Sequence, residues 1–95
     1  MPTQCVKEFD FDLARAVVEQ LTESLDALPI GKLTDEVLEK VERKQGVYQL
    51  FQGTTAVYVG KADDNLKGRL RRHQRALAAR KNIDVRALGF KGLYI

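Results

Sequence analysis

One cysteine in 95 residues cannot close a disulfide within the chain. The fold therefore does not depend on oxidation, and a cytoplasmic location is the default expectation. Cys5 itself, close to the terminus, is expected to be a bystander. No apolar run approaches the roughly 18 residues that a membrane span needs, so no membrane association is expected. The opening Met-Pro-Thr-Gln-Cys lacks the basic-then-apolar pattern of a signal peptide. Internal repeats and low-complexity segments are absent, and no acidic residue follows Asp84. The hydrophobic fraction of 44% is that of an ordinary globular protein and argues against a disordered chain. Ninety-five residues suffice for one small core.

What is present is unevenly distributed. Residues 1–45 hold six Lys/Arg against ten Asp/Glu, whereas residues 46–95 hold ten against three. The net charge of +3 thus hides an acidic first half and a strongly basic second half. Segregation of this kind suggests a polyanionic partner for the second half. A basic helix that is merely solvated is the plainer reading of the same charges.

Between Asp10 and Leu28, Leu13, Val17, Leu21 and Leu25 recur every four positions, with Val18 and Leu28 beside them. This is a helical stripe, capped by Asp10 or Asp12 and stopped at Pro29. Thr34 reads as the N-cap of a second helix ending near Lys44, with Leu33 and Leu38 placed for a hydrophobic staple. Neither acidic helix shows a catalytic constellation. Residues 1–45 are therefore expected to form an N-terminal helical extension, and residues 46–95 the functional unit.

That unit opens with Gly-Val-Tyr-Gln-Leu-Phe, a polar Gln-Gly-Thr-Thr turn and Ala-Val-Tyr-Val-Gly, the pattern of an antiparallel hairpin. Alternation puts Val47, Gln49 and Phe51 on one face and Tyr48, Leu50 and Gln52 on the other. If the register aligns the faces that carry Tyr48 and Tyr58, both phenols converge. Two strand tyrosines taken alone are equally well read as ordinary β-formers. Asn65 or Asp64 caps the next helix, whose buried stripe is Leu66, Leu70 and Leu77. His73 falls on that stripe, and Arg69 lies one turn before it. The helix should run to about Arg80. Val85–Leu88 and Phe90–Ile95 then read as extended chain, with Gly89 and Gly92 marking a bulge or bend.

Gly46-Val47-Tyr48 followed by Tyr58-Val59-Gly60 resembles the paired signature of the GIY-YIG nuclease superfamily, with the tyrosines ten positions apart. Arg69, eleven positions after Tyr58, is similar to that family's catalytic arginine, and His73 to a histidine that many members carry one turn later. The resemblance covers Gly46 to about Arg75, and extends more weakly over Val85 to Ile95 as a third strand. It implies an α+β fold in which two N-terminal helices precede a small antiparallel sheet built from hairpin, helix and third strand. It also implies a metal-dependent DNA endonuclease, using Mg²⁺ or Mn²⁺ to hydrolyse phosphodiester bonds. The helical extension resembles the layout of some restriction enzymes of that superfamily, so double-stranded DNA is the expected substrate.

Phosphodiester hydrolysis requires a base for water and cations for the charge that builds on the phosphoryl oxygens. The resemblance implies Tyr48 as that base, with Lys61, Arg69 and the metal expected to pull its pKa down from near 10. Tyr58 would position water or phosphate, and His73 would hydrogen-bond Tyr48 or the phosphate. Arg69 would hold the non-bridging oxygens, to which its two-pronged donor is suited. Lys61, Lys67, Arg71, Arg72 and Arg75 are the expected contacts to the substrate. The family's metal ligand is a glutamate on a helix after the third strand. Here Glu36, Glu39 and Glu42 lie in another element, so no metal ligand is assigned. An apolar strand ending at Ile95 suggests the front part of a longer domain. Cutting both strands with one centre per chain suggests a homodimer. The alternatives are a non-catalytic nucleic-acid-binding module that kept the basic helix, and a small structural domain.

Overall fold

A strand buried on both faces must also have both edges hydrogen-bonded, and the last strand of this chain meets that demand with three different partners. The computed structural model describes residues 4–8 and 17–95. In order, the elements are β1 (Val6–Glu8), α1 (Val17–Asp26), β2 (Gly31–Lys32), α2 (Asp35–Leu38), β3 (Gly46–Gln52) and β4 (Thr55–Ala62). They continue with α3 (Leu66–Ala78), a short 3₁₀ turn at Val85–Ala87 and β5 (Leu88–Tyr94). The architecture is α+β. Among the described residues no helix is long and apolar enough to cross a membrane.

All seven residues of β5 are buried. One edge pairs antiparallel with β3 along its whole length, from Gly46 opposite Tyr94 to Gln52 opposite Leu88. The other edge is shared. β2 runs antiparallel beside Phe90 and Gly89, and β1 runs parallel beside Gly92 to Tyr94. β4 lies on the outer side of β3 and completes the sheet. Direct register pairs share a face, so Tyr48, Gly60 and Gly92 lie together, as do Leu50, Tyr58 and Phe90. α3 covers this face, where Leu66 and Leu70 are fully buried in a cluster with Tyr48, Leu50 and Phe90. On the opposite face Leu25 of α1 packs on Leu93, flanked by Leu21, Leu28 and Val47. Fully burying one such leucine contributes about 1.5–3 kcal/mol.

The structure corrects the expected element order. The first described element is a strand, and a second strand separates the two helices. These runs of three and two residues are too short for a period of two to show. They become strands because β5 needs partners. Cys5 is buried in the core, and its carbonyl accepts the N–H of Gly92 at 2.8 Å, so it is part of the sheet's packing. The expected helix caps Asp10 and Asp12, and Leu13 of the stripe, lie outside the described residues.

Thr34 caps α2 as expected, its hydroxyl accepting from the Val37 N–H at 3.4 Å. The helix, however, is one turn long and stops well before Lys44. Lys40 and Val41 bond back only three residues, to Val37 and Leu38. The next N–H, that of Glu42, donates to the Tyr94 hydroxyl at 2.8 Å, which ends the helical ladder. In the hairpin the loop is Gly53-Thr54, and Gly53 has a φ of 64°, the positive value that a type II′ turn requires at its first position. A register shift after Leu50 leaves Val57 as an extra residue in β4. β5 pairs without a break through Gly89 and Gly92, in place of the expected bend, while Val85–Ala87 coils into the 3₁₀ turn.

A methyl group at Gly46 would meet the Leu93 carbonyl oxygen at 2.5 Å, an atom of the central strand that cannot give way without breaking pairs. Gly46→Ala should therefore lower stability by about 1–3 kcal/mol, read as a fall in the urea midpoint at constant slope. An unchanged midpoint would mean that β3 and β5 are not so closely apposed.

Candidate active site

Tyr48 and Tyr58 reach the same spot because of strand parity and register. Tyr58 stands opposite Leu50 and Gly60 opposite Tyr48, so the Tyr48 ring crosses β4 above a residue with no side chain. A Cβ at Gly60 would collide with the Tyr48 ring and hydroxyl. The two phenol rings lie 6.0 Å apart between centroids. α3 supplies the third ring. Asn65 caps it by accepting the Gly68 N–H at 2.9 Å, and Leu66 and Leu70 seat it on the sheet. That seating carries His73 over the tyrosines, with ring centroids 5.3 Å from Tyr48 and 5.0 Å from Tyr58.

One hydrogen bond joins the elements: Tyr48 Oη and His73 Nε2 are 2.7 Å apart. Burial lowers the pKa of His73 below its usual 6.5, and the cationic Arg69 and Arg72 push the same way. The imidazole is neutral at pH 7, and with its ring proton on Nδ1 the bare Nε2 accepts the Tyr48 hydroxyl proton. Tyr48 is only 1% exposed, and burial pushes its pKa up to about 12. Tyr58 adds to that rise, and Arg69 opposes it without reversing it. The expected depression of the Tyr48 pKa is thus reversed in the chain by itself, because burial outweighs the nearby cation. Even against the ordinary imidazole value of 6.5, a phenol at about 12 lies more than five units higher. Moving the proton fully to His73 is then strongly uphill. The resting pair is phenol and imidazole.

The other expected residues are divided by the fold. Arg69 is near enough for its charge to act on Tyr48 and His73 and, with Arg72, Asp64, Asn65 and Gly68, lines a polar cavity of about 210 Å³. Lys61 pairs with Val47, on the opposite face of the sheet from Tyr48, and its ammonium lies 3.3 Å from Asp63. It cannot act on the phenol. Lys67 and Arg71, expected on the substrate side, both ion-pair with Glu39 and tie α3 to the end of α2. Arg75 lines a separate cavity of about 620 Å³ with Asp35, Glu36, Gln74 and Arg86. The charge of the second half is therefore partly spent within the fold.

Sequence reasoning missed Glu39 as the counter-charge for two cations, and read Asn65 only as a cap. The residues 28 and 32 positions apart in these contacts leave no local signal. It also missed Lys91, which is buried, donates to the Leu25 carbonyl at 3.0 Å and lies 5.3 Å from the Phe51 ring centroid. A cation at the end of α1 is favourably placed toward the helix dipole.

A hard divalent ion seeks several oxygen ligands. Among the described residues no three His, Cys, Asp or Glu side chains come together, and Asp64 shares its cavity with two guanidinium groups. This donor set does not fit Mg²⁺ or Mn²⁺. No protein-family model, curated protein or solved structure matches this chain.

His73 is the chain's one histidine, so its ring resonances are unambiguous in an NMR titration. Its midpoint should lie below 6.5. A folded pKa lower than the unfolded one contributes stability above pH 6.5 that is lost as pH falls toward the folded value. The parent should lose stability across that window, and His73→Gln should flatten this part of the profile. A midpoint at or above 6.5 would show that the imidazole is not held neutral.

Proposed function

We propose that this chain carries the phosphodiester-cleaving centre of a GIY-YIG-type endonuclease acting on double-stranded DNA, in the manner of a restriction enzyme. The observation that carries this reading is the 2.7 Å contact between Tyr48 and His73, with Tyr58 and Arg69 beside it. The succession of hairpin, basic helix and third strand, with β3 between β4 and β5, supports it. The residues concerned come from three elements and meet on one face, next to a cavity lined by arginines.

In this reading a water molecule gives a proton to Tyr48 Oη as Tyr48 gives its own to His73 Nε2. The concerted exchange avoids a free phenolate, which the raised pKa of Tyr48 makes scarce. The water oxygen bonds to phosphorus, the bond from phosphorus to the 3′-oxygen breaks, and the leaving oxygen takes a proton from solvent. Arg69 holds the non-bridging oxygens as their charge rises. Tyr58 limits where the water can sit. The neutral imidazole is the proton acceptor, so activity should rise with pH along an acid limb centred below 6.5 and then level off.

A second reading, a non-catalytic nucleic-acid-binding module, is favoured by the poor fit of the donor set to a divalent ion. The two separate in a nicking assay on supercoiled plasmid with Mg²⁺. Cleavage by the parent, with Tyr48→Phe and Arg69→Ala each slowed about 100-fold or more while remaining folded, supports the enzyme. Salt-dependent binding without cleavage supports the module. Cleavage by either variant at the parent rate would remove the role given to that residue.

A further inference from the structure

Resting on that reading, we propose that the cavity at the start of α3 seats the DNA phosphate adjacent to the one being cut, with Arg72 as its principal contact. Arg69 and Arg72 are three positions apart, a spacing that makes them neighbours on one helix face. Both line the cavity. Neither takes part in an ion pair among the described residues, whereas Lys67 and Arg71 on the same helix are both paired with Glu39. Two adjacent guanidinium groups repel one another, Asp64 on the same lining forms an ion pair with neither, and an arriving anion relieves that repulsion.

What lines the cavity decides which part of a nucleic acid it takes. At about 210 Å³ it has room for a phosphodiester group, and the two guanidinium groups on its wall suit an anion. Its lining is polar, with no apolar wall for a base to stack on. The Gly68 N–H already donates to Asn65 Oδ1, so the helix amide is not the anion donor and the arginines are. A methyl group at Gly68 would come within 2.6 Å of Asn65 Nδ2, so glycine leaves room for the capping side chain at the mouth. Arg69 lines the cavity and lies one helical turn before His73, which sets two phosphates of one strand side by side: the reacting one at the rings, its neighbour at Arg72. Asp64 stands on the same lining and offsets part of the arginines' positive charge.

The test is fluorescence anisotropy of the full protein with an uncleaved duplex in EDTA, over a salt series. Arg72→Gln should weaken binding about three- to tenfold and reduce the slope of log K against log[salt] by about 0.9, while Arg72→Lys keeps the slope. A methylphosphonate at the neighbouring phosphate should weaken parent binding by a similar factor and have little further effect on Arg72→Gln. With Mg²⁺ added, Arg72→Gln should raise KM and leave kcat within about twofold. A variant with parent affinity and parent salt slope would overturn the assignment while leaving the nuclease reading intact. So would a loss confined to kcat, which would place Arg72 with the proton-transferring pair. A parent protein that does not bind the duplex at all would overturn both.

Discussion

The Tyr48 ring can lie flat across β4 only because position 60 has no side chain, and most of the second half of the chain is arranged around that contact. A buried aromatic removes roughly 150–250 Å² from water, worth about 4 kcal/mol or more at 25 cal/mol per Å². That burial would be undercut if the phenol oxygen were left alone, since an unsatisfied buried hydroxyl costs about 1–3 kcal/mol. His73 removes the deficit. The bond that completes the packing of α3 on the hairpin is also the one that carries the proton in the proposed reaction, so under that reading stability and chemistry share one interaction. The same dependence reaches back to the helix cap: Asn65 sets where α3 begins, and so where residue 73 arrives.

Electrostatics divides the basic helix into two working sides. Glu39 takes up Lys67 and Arg71, and so fastens α3 to the end of the single turn of α2. Lys44 bonds to Glu8 and lies near Glu42, joining the start of the sheet to the connector before β3. Exposed pairs of this kind contribute little individually, about 0–1 kcal/mol. Their main effect here is selective neutralisation: among the described residues Lys67 and Arg71 are paired, while Arg69, Arg72 and Arg75 of the same helix are not, and the first two act on His73. Those two charges help keep His73 neutral, and Arg69 works against the burial that raises Tyr48. The acidic first half of the chain therefore shapes the site without contributing a residue to it.

What could be read in the sequence follows the range of each signal. Strand alternation is local, yet the convergence of Tyr48 and Tyr58 was legible only as a condition on the register. Unbroken pairing from the two-residue loop would set Tyr58 opposite Gln49, and the extra residue Val57 is what sets it opposite Leu50. Arg69 and His73 were legible because four positions make one helical turn. The same parity rule carried a warning about Lys61. Three positions from Tyr58 in a strand is an odd separation, so its side chain leaves by the other face. β1 and β2 were not legible, since two- and three-residue strands exist only where β5 offers an edge. α2 looked longer than it is because nothing local announces that Tyr94, 52 residues on, will take the Glu42 N–H. The direction of the Tyr48 shift was out of reach for a related reason. Nearby charges can be guessed from sequence, but the depth of burial that outweighs them cannot.

A phenol held at about 12 looks at first like a poor choice of base. In water near neutral pH, a tyrosine with a lowered pKa would be ionised more often, yet its phenolate would be a weaker proton acceptor. Brønsted behaviour sets these two effects against each other. Pairing the phenol with a neutral imidazole changes the balance, because the phenol never has to exist as an anion. It only passes a proton on while receiving another. The proton's final acceptor is then His73, whose pKa lies below neutrality and which is therefore in its accepting form at pH 7. Under the proposed reaction, the buried tyrosine serves as a rigid link between a water molecule and that imidazole. Burial, which makes Tyr48 a poor acid, holds it still enough to serve.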